Sequence, residues 1–517
     1  MLLASPWAIA TAISLLIYGI YRLFQVGKRD PRLPPGPPTK PILGNMLDIP
    51  TTGLGKKFKE WQLQYGNIFS LKVGPGNIIV ICDRKAVYEL IDKKGSIYSD
   101  RPANIVPLFI TRGNHMTMEC QTPLWREKRT VVTRNLGPKA LDEKHFRVQE
   151  AEAVVFMNHL LDDPDNFFGY ARLYSSSVAA ILAWGFRAKT LDSFWFKDVA
   201  EMIEKWLEAI EPGANPPIDL IPSLWYLPGK WKKRAYEMRD HMDSVWGRAR
   251  KMVDDRRARG DKRECLIDMK LDEYNQKGWS LSQQGFNNLF GELMEAGADT
   301  TANQILTLIL ALAMNPEIQI KARKELDAVC GTERAPLFSD FERLPYINAI
   351  VKEGLRWRPT SDLGLPHTVT KDDWYNGMLI PKGSTIFVGV WAMHMDEKYY
   401  PDHDKFDPDR FLNHKKLAND YAVGPDHENR DKICPGIHLA ERSMWRITAK
   451  LLWAFEFAEP LDPVTKEVQH LDPNAYTSAN LVCPLPFKVR VTPRSQAHVE
   501  VIKRELVGAE EFLSQYD

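Results

Sequence analysis

The chain has 517 residues, and its 68 basic and 67 acidic side chains leave a formal net charge of +1, so a basic nucleic-acid-binding module is excluded as the default and no nucleic-acid partner is expected. With 44% hydrophobic and 26% charged residues it carries ample apolar material for a sizeable core, which excludes wholesale disorder. Its six cysteines, Cys82, Cys120, Cys265, Cys330, Cys434 and Cys483, stand far apart with no Cys-x-x-Cys pair; that speaks against a disulfide framework or a zinc cluster and for a reducing compartment.

From Met1 to Tyr21 there is no Asp, Glu, Lys or Arg, whereas Arg22, Lys28, Arg29 and Arg32 follow. An apolar run of about 20 residues is what a helix needs to cross a bilayer core, so residues 1–26 are predicted to be a transmembrane anchor in contact with lipid. A signal peptide carries positive charge before its apolar core, and this run has none. The flanking charge puts the N-terminus in the lumen and the body in the cytosol, a single-pass arrangement fitting the endoplasmic reticulum. The chain has no Asn-x-Ser/Thr sequon, in keeping with a body kept out of the glycosylating lumen.

Residues 27–45 read as a basic and proline-rich hinge. In Leu33-Pro34-Pro35-Gly36-Pro37-Pro38 each proline fixes φ and removes a donor, which favours a stiff spacer over helix or central strand. Beyond it there is no repeat, low-complexity tract or second linker, so residues 46–517 are expected to form one large domain.

Strand signals are sparse. Phe69 to Val73 and Ile78 to Ile81 flank Gly74-Pro75-Gly76-Asn77 as a hairpin, Met378 to Val390 around Pro381-Lys382-Gly383 reads as another, and a last strand is predicted over Phe487 to Val491. Elsewhere the spacing is helical. Phe286, Leu289, Phe290, Leu293 and Met294 recur at three and four, and the apolar run continues to Met314 until Asn315-Pro316 stops it. The fold class expected is mainly α with small β-sheets.

Four patterns carry chemistry. Cys434 precedes Pro435-Gly436 and the helical run from Ile437 to Arg442. A thiolate at a helix start is stabilised by free amides and the helix dipole, which suits an axial iron ligand, although such a turn taken alone is more often a structural cap. Glu353 and Arg356 stand three apart, where a carboxylate and a guanidinium on one helix face can pair, and Phe406-Asp407-Pro408-Asp409-Arg410-Phe411 offers a second arginine. Ala296-Gly297-Ala298-Asp299-Thr300-Thr301 places small residues, an acid and two hydroxyls inside an apolar helix. An interior Gly there costs about 1 kcal/mol, so either a flat ligand or a neighbouring helix should need the close approach. Trp125 and Arg129, and far downstream His367, supply N–H and cationic donors suited to carboxylates.

In this order, behind this hydrophobic run, the four patterns resemble the cytochrome P450 (haem-thiolate monooxygenase) family over essentially the whole chain from the proline hinge onward. The segments around Cys434 and Arg410 are most similar to filamentous-fungal members that tailor secondary metabolites. The resemblance implies heme b as cofactor and Cys434 as its axial thiolate, in a single large haem domain behind the anchor. It implies that Asp299 and Thr300 deliver protons to bound O2, that Ala296 and Gly297 leave room above the haem, and that Gly436 belongs to the ligand turn. Trp125, Arg129, His367 and Lys432 would meet the propionates, and Glu353, Arg356 and Arg410 would form a buried ion cluster. Electrons would come from an NADPH-cytochrome reductase, and the substrate would be a small apolar molecule, met by segments such as Ile105 to Ile110, Phe286 to Phe290 and Ser361 to Leu365. Where the family pattern has an aromatic, a Gly and an Arg seven, four and two residues before the ligand, this chain has His427, Arg430 and Lys432. Alternatives from other classes are a thiolate-haem isomerase or dehydratase, and a membrane-anchored haem- or lipid-binding protein without catalysis.

Overall fold

The computed structural model describes residues 6–211, 213–417, 434, 436–478 and 481–517. They are mainly helical with small β-sheets and divide into two compact units.

The first unit comprises the chain to Ile105 with Pro216–Pro228 and Asp362–Met393. It holds helices α1 (Pro6–Val26) and α2 (Leu54–Tyr65) and strands β1 (Ile68–Val73), β2 (Gly76–Ile81), β3 (His367–Thr368), β4 (Asp373–Tyr375), β5 (Met378–Ile380) and β6 (Thr385–Val388). Strands β1 and β2 form the expected hairpin, closing at Val73 opposite Gly76. The turn is Gly74-Pro75, with Gly74 at φ 52°, a left-handed value glycine adopts without a Cβ penalty. The second hairpin is a correction. Strand β5 turns through Asn376-Gly377 to pair with β4, while β6 lies parallel to β2 in a sheet ordered β1-β2-β6-β3. Asn376 and Gly377 both have positive φ, the turn chemistry a two-residue hairpin requires, and Pro381-Lys382-Gly383 instead passes the chain between sheets. The core here is aromatic, with Phe58 edge-on to Phe69 at 5.8 Å. The proline-rich segment is docked: the Ser70 amide donates to the Pro35 carbonyl at 2.7 Å, and the Arg29 guanidinium donates to the carbonyls of Gly36 and Pro37. Among the described residues no single helix is long and apolar enough to cross a membrane.

The second unit holds α3 (Pro123–Asn135), α4 (Phe146–Asp162), α5 (Phe167–Trp184), α6 (Lys197–Ile210), α7 (Lys230–Ala258), α8 (Leu266–Lys277), α9 (Gln283–Met314), α10 (Pro316–Val329), α11 (Pro345–Trp357), α12 (Ile437–Ala454) and α13 (Gln496–Leu513). Strands β7 (Phe455–Ala458) and β8 (Arg490–Pro493) pair antiparallel, so the last strand begins three residues later than expected. Helix α9 starts where the Ser282 hydroxyl accepts the Gly285 amide, and it ends at Asn315-Pro316 as read from the sequence. Its apolar residues are buried all round because it runs through the unit's core, packing along α5 and against α12. Trp184 and Trp246, both fully buried, stack at 5.9 Å. Phe286 and Phe290 are fully buried among Tyr274, Trp279 and Trp184, a packing that gives both rings a core role.

Candidate functional site: the helix start at Cys434

Cys434 precedes α12, whose first turn begins with the Ile437 amide donating to the Cys434 carbonyl at 3.1 Å and the Ala440 amide to the Gly436 carbonyl at 2.9 Å. The sulfur itself lies beside this turn, and a Cβ on Gly436 would stand 3.8 Å from it. Desolvation pushes the thiol up, while the amides of Gly436 and Ile437 and the positive charge of Arg129 pull the other way. Yet Cys434 is exposed on its own surface. The two amides and the Arg129 charge thus act against the burial and toward the thiolate form, without reversing its effect.

On α9, Ala296 is exposed although its helix is among the most buried in the unit. The Thr300 hydroxyl donates back to the Ala296 carbonyl at 2.8 Å. Half-buried Asp299 has its carboxyl raised by burial, opposed by the Arg172 charge from α5. Gly297 is turned elsewhere: a Cβ on it would stand 2.9 Å from the Ala179 Cβ of α5. Close approach of two helices therefore accounts for this glycine, which supports the packing alternative among the two readings of its sequence.

Glu353 and Arg356 meet on α11, with Arg356 Nε donating to Oε2 and Nη2 to Oε1, each at 2.7 Å. The Asp407 amide donates to Glu353 Oε1 at 2.8 Å, and Arg410 Nε stands 3.7 Å from the same oxygen. The remaining Arg356 donors reach the carbonyls of His394, His403 and Lys405. Burial pushes the Glu353 carboxyl up and the two guanidinium groups oppose it. One carboxylate thus gathers a helix and the chain from His394 to Arg410 around itself.

Trp125 departs from expectation. Its indole N–H, the ring's only donor, goes to the Met116 carbonyl at 2.8 Å, so it braces the segment before α3 instead of pointing a free donor at a propionate. Arg129, one turn on, is the α3 residue whose charge reaches Cys434. His367 lies in the first unit, on β3 opposite Ile386. Lys432, with His427 and Arg430, lies outside the described residues. Sequence reading missed a buried cluster of His115, Glu292 and Glu295. The available signal was two carboxylates three apart within an otherwise apolar helical run.

The residues suit the cofactor that the pattern implies: a sulfur with two amide donors and a nearby guanidinium charge, and an exposed Ala296 midway along a buried helix. The chain belongs to the cytochrome P450 family, whose model matches residues 34–476. Its relatives include cytochrome P450 monooxygenase yanC of Aspergillus niger, 39% identical over 526 residues and 98% of each chain. Another is acuD of Aspergillus aculeatus, 39% identical over 533 residues and 100% of each chain. A third is patI of Aspergillus clavatus, 39% identical over 517 residues, 97% of this chain and 96% of that one. The protein is accordingly an oxidoreductase, and its family implies haem iron held by a thiolate, with O2, a redox partner and a small-molecule substrate.

Proposed function

We propose that the chain inserts one oxygen atom from O2 into a small apolar metabolite, as a tailoring step of fungal secondary-metabolite biosynthesis, with electrons from an NADPH-cytochrome reductase. The observation that carries this reading is the Cys434 sulfur at the start of α12, accessible and under the amides of Gly436 and Ile437 and the charge of Arg129. Heme b, when bound, supplies the O2 chemistry. Cys434 holds its iron, the two amides steady the sulfur's charge, and Arg129 adds a fixed positive charge nearby. Asp299, its carboxyl raised by burial, holds a proton more readily than an ordinary aspartate. Thr300 Oγ1 gives its own proton to the Ala296 carbonyl, so its oxygen is left to accept and order the next one.

Apolar exposure on α1, including Trp7, Leu15, Leu16, Ile17, Tyr18 and Tyr21, supports a lipid-facing anchor at the endoplasmic reticulum with the catalytic body in the cytosol. The functional test is reconstitution with a fungal NADPH reductase under isotopically heavy O2, with the apolar intermediates of the host pathway supplied as substrates. One heavy oxygen per product is expected, and Thr300→Ala is expected to lower product formed per NADPH while keeping haem. Product whose new oxygen carries no heavy label, or unchanged coupling in Thr300→Ala, contradicts the respective assignment.

A further inference from the structure

Helix α9 carries three buried polar side chains at positions i, i+4 and i+7, namely Asn288, Glu292 and Glu295. All three meet the segment 111–117 that leads into α3. Asn288 Nδ2 donates to the carbonyls of Thr111 and Asn114 at 3.0 and 3.2 Å. The Glu292 carboxylate accepts the amides of Met116 and Thr117 at 2.8 and 2.9 Å. His115 lies between the acids, its Nδ1 3.2 Å from Glu292 and its Nε2 3.0 Å from Glu295, with the ring stacked on Trp206 of α6 at 5.3 Å. Glu119, the other carboxylate acting on this ring, is itself paired with Lys128 of α3.

Two buried carboxylates are costly unless charge and hydrogen bonds compensate them, and here the compensation comes from one short stretch of chain. That stretch is tied onward: the Met116 carbonyl takes the Trp125 indole N–H, and Trp125 is one turn from Arg129. Glu295 directly precedes the exposed Ala296.

We propose that Glu292, His115 and Glu295 form a positioning clamp for the cofactor cavity, holding residues 114–118 against the α9 turn that bears Ala296 and, through Trp125, holding α3 so that Arg129 stands by Cys434. The inference rests on the reading of Cys434 as haem ligand. Its logic is serial: Glu295 acts through His115, the 115–116 backbone and Trp125, so a break at either end releases the same element.

The test is a double-mutant cycle on the holoenzyme with Glu295→Gln and Trp125→Phe, both close in shape to the residues replaced. The rate of haem transfer to a haem-scavenging protein is measured, with circular dichroism to follow the fold and Cys434→Ser as control. Each single variant is expected to speed haem loss about fivefold with the helical spectrum kept, and the double variant to fall well short of the product of the two. Rates that multiply, or singles that match the parent, overturn the clamp while leaving the thiolate reading standing. A Cys434→Ser protein that retains the parent haem spectrum overturns that reading and the clamp's proposed output with it. His115→Ala is avoided as the primary probe because it strands two buried carboxylates.

Discussion

Glu353 and Arg356 are joined by two hydrogen bonds of 2.7 Å, and the carboxylate has no exposed surface. Truncating the guanidinium strands a buried charge that also accepts the Asp407 amide. Arg356→Ala is therefore expected to cost about 3–5 kcal/mol and to give little folded protein. Arg356→Lys should recover only part of this, because an ammonium cannot reproduce the planar two-point contact. Urea unfolding of the three proteins checks the order, and an Arg356→Ala protein as stable as the parent would contradict the buried cluster.

Gly297→Ala is expected to destabilise by about 1–3 kcal/mol through overpacking against Ala179, since the new Cβ would stand 2.9 Å from the Ala179 Cβ. Adding Ala179→Gly should restore most of the loss. If the pair is no more stable than Gly297→Ala alone, the packing account of this glycine fails.

What is legible in the sequence depends on the range of each interaction. The β1–β2 hairpin, the end of α9 at Asn315-Pro316 and the helix start after Cys434 are set by neighbours within a few residues, so local pattern sufficed. The stretch Met378 to Val390 reads locally as one hairpin, whereas β6 pairs far along the chain, Thr385 opposite Ile78, and that choice leaves no local mark. Gly297 reads locally as either a packing or a ligand glycine, and the Ala179 Cβ that supports packing lies on another helix. The His115 cluster stayed hidden because its acids lie 177 and 180 residues further along the chain. The pattern marks Trp125 as a donor, but where its N–H points depends on the path of the segment before α3.

The His115 clamp predicts a pH dependence. Burial disfavours the charged ring, but Glu292 and Glu295 outweigh it and hold the imidazolium up to about 9. Unfolded, the ring loses its proton near its ordinary value of about 6.5, so between these limits the folded state binds more protons and stability falls as pH rises. The clamp's contribution is fully present below about pH 6.5 and is lost as pH passes about 9, with a slope of up to about 1.4 kcal/mol per pH unit between. Unfolding midpoints from pH 6 to 10 should show this decline in the parent and a flatter curve in His115→Gln. Identical profiles would remove His115 as the titrating group.

If α1 anchors the chain as proposed, deleting residues 1–27 is expected to leave the body folded and to move it from the integral membrane fraction to the soluble or peripheral one, because the apolar run from Met1 to Tyr21 is removed. Alkaline carbonate washing of both forms reads the result. A truncated protein that stays integral would place the anchor elsewhere.

Whether Cys434 supplies the thiolate to haem iron is read from the reduced, carbon monoxide-treated absorption spectrum. The parent is predicted to show the long-wavelength band of a thiolate-ligated complex, and Cys434→Ser is predicted to lose that band while any residual haem absorbs where histidine- or water-ligated complexes do. A parent spectrum of the shorter-wavelength kind, or a Cys434→Ser spectrum identical to the parent, would contradict the account.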